Sequence, residues 1–163
     1  MSWRIGLAVV VQILIMALVL VQPLMVRRDG NTHWLETEKM DPRALFRGDY
    51  VILGYTLAQG ILSDAQRRGI DYGQAVYVTI SGDRPAKFVA VGLERPTLLP
   101  GQACLTGRVR RHGSGSVDFP QIAQYFVPEG EGRALERARG SNLLAKVASN
   151  ADCKAVLLGL EPR

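Results

Sequence analysis

The stretch "GDYVILGY", Gly48 to Tyr55, sets the terms for the fold. Gly48 permits a turn that a side chain would strain, and the Asp49 carboxylate can accept hydrogen bonds from nearby backbone amides. Just upstream, Pro42 biases Asp41 towards extended geometry. In the strand that follows, Asp49, Val51, Leu53 and Tyr55 face one way, while Tyr50, Ile52 and Gly54 face the other. The pattern is expected to start a strand at a fixed point and to dock it in a core through Tyr50, Leu53 and Tyr55.

Downstream, six more short runs have strand character and are separated by Gly, Pro, Asn and Asp: "QAVYVTI", "AKFVAVGLE", "QACLTGRVR", "QYFVPEG", "LLAKVAS" and "KAVLLGL". Several alternate with apolar residues on both faces, as strands of a closed or two-layered sheet do. "SGDRP" (Ser81 to Pro85) and "SNADC" (Ser149 to Cys153) join neighbouring runs as hairpin loops. Two helices are expected. Leu57 to Gly69 ends in arginines and a glycine, and Glu131 to Gly140 has acids early and arginines late, which complements the helix dipole. "RRHGSGSVD", Arg110 to Asp118, reads as a mobile Gly/Ser loop. The fold class is α+β: a small, mainly antiparallel β-rich domain with one or two short helices.

Before this domain, Ile5 to Val26 carries no charged residue. At about 1.5 Å per residue it spans roughly 33 Å, enough for a bilayer core. A cleaved signal peptide is the rival reading, but the run exceeds a typical signal core of roughly 7 to 15 residues and no small-x-small site follows it. The expected organisation is an anchor over residues 1–26, a polar stalk over 27–40 with Trp34 near the membrane interface, and a β-rich domain over 41–163. Arg27, Arg28, Lys39, Arg43 and Arg47 outweigh Arg4, which by charge count alone favours a cytoplasmic domain. The short N-terminal tail before one long apolar helix is instead the layout of a signal anchor, and on that ground the domain is expected outside the cytoplasm.

The net charge of +5 does not mark a nucleic-acid binder, because the arginines lie in short groups beside turns and no recognition motif accompanies them. His33 and His112 sit in no metal-spacing motif, so neither a metal nor a cofactor is expected, and no small-molecule ligand can be inferred. "GSGS", Gly113 to Ser116, lacks the strand-turn-helix context of a nucleophile elbow or phosphate loop. Cys104 and Cys153 can pair in an oxidising compartment or serve as small apolar residues in a reducing one; the sequence leaves both open.

Gly48, Asp49, Tyr50, Leu53 and Tyr55, followed by the block "QYFVPEG" with Tyr125, Phe126, Pro128, Glu129 and Gly130, resemble the two signature segments of the GDYXXLXY family of membrane-anchored proteins. The resemblance runs from the anchor almost to the end of the chain and implies no particular chemistry. A weaker likeness, in "KMDPRALFRGDYVIL" and "AKFVAVGLERPTLLPGQ", is to type I signal peptidases. Where that family places its nucleophilic serine this chain has Lys39, so Lys87 at the base position would have no hydroxyl to activate. Glu129, between Pro128 and Gly130, is the one acid placed where a site could be built, and a stabilising carboxylate before a helix explains it equally well. The expectation is a single-pass protein of the bacterial inner membrane that acts as a non-enzymatic binding or assembly module, with the bilayer and a multi-spanning membrane protein as partners. A divergent membrane-anchored hydrolase or peptidase is the alternative.

Overall fold

The computed structural model describes residues 2–38, 50–82, 84–110, 117–126 and 143–162. A long helix, α1 (Ser2–Asp29), opens the chain, and every described side chain from Trp3 to Met25 is exposed. Its length and composition suit a membrane span.

The stretch expected to be a stalk folds differently: it contains strand β1 (Asn31–Glu36), which begins right after α1. His33, Leu35 and Thr37 point inwards and are buried, while Thr32, Trp34 and Glu36 alternate outwards. Two of the three inward residues are polar, which hid the alternation. Thr37 is accommodated because its hydroxyl donates to the Leu143 carbonyl at 3.0 Å and accepts from the Leu143 amide at 3.1 Å.

Next come β2 (Tyr50–Ile52), α2 (Leu57–Arg67), β3 (Ala75–Ser81), β4 (Phe88–Gly92) and β5 (Gln102–Val109). They are followed by β6 (Val117–Asp118), β7 (Gln124–Phe126), β8 (Leu143–Ser149) and β9 (Ala155–Pro162). Among the described residues all pairings are antiparallel and form three sheets, ordered β1-β8-β9, β2-β7 and β4-β3-β5-β6. The α+β expectation is met. Val117 and Asp118, expected at the end of a Gly/Ser loop, pair with Val109 and Arg108, and Val117 is buried. The second expected helix, 131–140, lies outside the described residues.

The helix α2 buries Ala58, Ile61 and Ala65 along one stripe and turns Gly60 outwards. It stops in the expected way: Gly69 has φ of 68° and the Ile70 amide reaches back to the Ala65 carbonyl at 3.0 Å, the wrap that a left-handed glycine allows. The core beneath it is built from Leu35, Val76, Val78, Ile80, Leu105, Val109, Ala145 and Val147, contributed by the two larger sheets. A disulfide, Cys104–Cys153, links β5 to the turn between β8 and β9 and so crosses from one sheet to the other, with a Cα–Cα distance of 4.7 Å.

Candidate functional site

The two signature segments, distant in sequence, meet in space. β2 and β7 form a ribbon of their own, with Tyr50 opposite Phe126, Val51 opposite Tyr125 and Ile52 opposite Gln124. Past Ile52 the backbone continues the match, since the Leu53 amide donates to the Ala123 carbonyl at 2.8 Å. On its other side the same segment meets the tail of β1. The Glu38 amide donates to the Gly54 carbonyl at 2.8 Å, the Thr56 amide to the Glu36 carbonyl at 3.1 Å, and Thr37 and Tyr55 form an isolated bridge.

One half of the signature faces inwards. Leu53 and Tyr55 are buried, and the Tyr55 hydroxyl donates to the Ile122 carbonyl at 2.7 Å while its ring meets Phe119 edge to face at 5.8 Å. Burial pushes the Tyr55 phenol well above its ordinary value, so it stays a neutral donor. Tyr125 is half-buried and packs against the same core. These contacts pin the ribbon to the domain, with Phe119 and Ile122 as its floor. Sequence reasoning missed both, although the apolar pair just ahead of the Gln124 block was the available signal.

The other half faces outwards. Phe126 is 69% exposed and Ile52 63%, and the register puts them diagonally across one face of the ribbon, a spacing of about 7–8 Å. Gly48, Asp49, Pro128, Glu129 and Gly130 lie outside the described residues.

Two further groups of side chains stand out. On the outer face of the β1-β8-β9 sheet, Trp34 donates from Nε1 to Glu161 at 3.2 Å, and Arg84 donates to the same carboxylate oxygen at 2.8 Å. The Arg84 guanidinium also lies 4.7 Å from the Trp34 ring centre, and the Lys146 ammonium 5.7 Å from it. Of this cluster only Trp34 lies in the stretch expected to be a stalk, and its partners come from distant parts of the chain. On the inner face, both ring nitrogens of His33 and the Ser149 hydroxyl are buried without a hydrogen-bond partner among the described residues. Burial lowers the His33 pKa, which keeps the imidazole neutral. Lys87 is exposed, and its backbone amide donates to the Ser81 hydroxyl at 3.2 Å. Among the described residues no group of three or more His, Cys, Asp or Glu side chains gathers as a metal site would require.

No curated protein and no solved structure matches the chain. The sequence profile of the GDYXXLXY protein family matches residues 12–160, a span that takes in most of α1, both strands of the ribbon and nearly all of β9. An exposed apolar N-terminal helix, a β-rich domain and the paired signature segments agree with that match, and the chain belongs to the GDYXXLXY family.

Proposed function

We propose that this membrane-anchored protein is a non-enzymatic binding or assembly module of the bacterial inner membrane, and that its ribbon docks a multi-spanning membrane protein. The observation that carries this reading is the two-sided character of the ribbon. Leu53 and Tyr55 hold it from within, while Ile52 and Phe126 are exposed on the outer face. Large apolar side chains fixed in place at the surface are the material of an interface core, and a partner that covers them recovers their hydration cost.

The β domain is assigned to the periplasmic side. The Cys104–Cys153 disulfide supports this, because such bonds persist in oxidising compartments and are rare in the cytosol.

The test is a full-length Ile52→Ser/Phe126→Ser variant, purified from membranes alongside the parent. Both sites are exposed, so the change in stability should stay within about 0.5 kcal/mol. The expected result is a folded, membrane-bound protein that no longer co-purifies with the multi-spanning protein held by the parent. Undiminished co-purification would remove the ribbon from the interface. Stoichiometric labelling of one Ser, Lys or Glu by an active-site-directed hydrolase probe would favour an enzyme instead.

A further inference from the structure

The β domain meets the anchor without a linker. α1 ends at Asp29, the Gly30 amide donates to the Val26 carbonyl at 3.0 Å, and β1 starts at Asn31. Gly30 is held so closely that a Cβ there would lie 2.3 Å from the Val26 carbonyl oxygen and 3.0 Å from that of Ser149. Val26, one turn inside the helix, is already 2% exposed.

This junction fixes what else lies at the membrane surface. β8 runs antiparallel to β1 and arrives at Ser149 opposite Asn31, so the turn from Asn150 to Lys154 emerges beside the last turn of α1. That turn is stiff. The Asn150 side-chain oxygen accepts from the Asp152 amide at 3.1 Å and the Lys154 amide at 3.0 Å, the Asn150 amide donates to the Lys154 carbonyl at 3.1 Å, and Cys153 is tied to Cys104.

The charges there are unequally compensated. Asp152 is paired with Arg95 at 2.8 Å, and Asp29 lies 3.8 Å from Arg28. Lys154 is exposed and makes no ion pair among the described residues, and Arg27 and Arg28 are exposed at the end of α1. The register thus brings the backbone of the turn that carries Lys154 to the end of the domain from which α1, with Arg27 and Arg28, departs.

We propose that Lys154 acts with Arg27 and Arg28 to bind the anionic phospholipid headgroups around the C-terminal end of α1. The inference rests on α1 being a membrane anchor. Ammonium and guanidinium groups donate charge-assisted hydrogen bonds to phosphate oxygens, and a basic residue near an anionic surface strengthens binding about fivefold, equivalent to about 1 kcal/mol. Arginines flanking a membrane helix are common; the structural claim is that a lysine from the β8–β9 turn joins them.

The experiment uses the full chain in phosphatidylcholine vesicles containing trace spin-labelled phosphatidylglycerol or spin-labelled phosphatidylcholine, with electron paramagnetic resonance reporting the fraction of each lipid held at the protein. The parent should prefer phosphatidylglycerol, and high salt should abolish the preference. Lys154→Gln should reduce it by up to about fivefold. Lys87→Gln is the control, since its neighbour Ala86 donates to the Trp34 carbonyl, about 13 Å along β1 from Gly30; it should change nothing. An unchanged preference in Lys154→Gln, or an equal loss in Lys87→Gln, overturns the proposal. So does a Lys154→Gln variant that keeps the lipid preference but loses a protein partner, which would assign the turn to a protein interface. Release of the parent from vesicles by alkaline carbonate would overturn the anchor as well, whereas a retained protein without lipid preference overturns the headgroup site alone.

Discussion

At the scale of single residues, Leu53 and Tyr55 account for the inward half of the signature among the described residues. Tyr55→Phe keeps the ring against Phe119 but leaves the buried Ile122 carbonyl without its donor. The expected loss is about 1–3 kcal/mol in urea unfolding, and Leu53→Ala should cost about 2–5 kcal/mol through the cavity it leaves. A smaller effect from both would mean that the ribbon is not pinned from within. His33 gives a pH signature. Its folded pKa lies below the ordinary 6.5 because it is buried, so the unfolded chain binds the proton more readily. The stability tied to the neutral ring is complete above about pH 6.5 and falls as pH drops through that value towards the folded pKa. Unfolding midpoints should therefore decline from pH 7.5 to 6, and His33→Leu should flatten that decline. Glu38, whose pKa burial raises from 4.5, has the opposite sign: it adds stability as pH falls into its own range.

Among the elements, the junction and the disulfide make the sharpest predictions. Gly30→Val would drive a branched side chain into the Val26 and Ser149 carbonyls, both of them backbone, so proteolysis near residue 30 should become faster than in the parent. Replacing Cys104 and Cys153 together by alanine should cost about 2–5 kcal/mol, read as a shift in urea midpoint that reductant reproduces in the parent. The strands β3, β4, β5, β8 and β9 were legible because each is an apolar run between turn residues, and α2 was legible through its stripe and terminal glycine. β1 was not legible, since His33 and Thr37 occupy inward positions where a reader expects Val or Ile. Both halves of the ribbon could be read as strands, but not their pairing, because no local signal links Tyr50 to Phe126. The outward exposure of Ile52 and Phe126 was hidden for the same reason: it depends on what the rest of the chain leaves uncovered.

For the whole molecule, orientation is the first question. A reporter that works only outside the cytoplasm, fused after Arg163, should be active; a silent fusion with intact expression would mean that Arg27 and Arg28 hold the domain inside. The missing linker has a mechanical consequence on either side. The apolar run from Ile5 to Val26 measures roughly 33 Å against a hydrocarbon core of roughly 30 Å, a surplus that a lean of roughly 25° would absorb. With Val26 buried in the domain and Gly30 wedged against Ser149, the β sheets cannot swivel to cancel that lean. A thinner bilayer would lay the helix over further and swing the ribbon through the same angle, like the needle of a gauge. The height and heading at which Ile52 and Phe126 are offered to a neighbour would then vary with the thickness of the membrane around them.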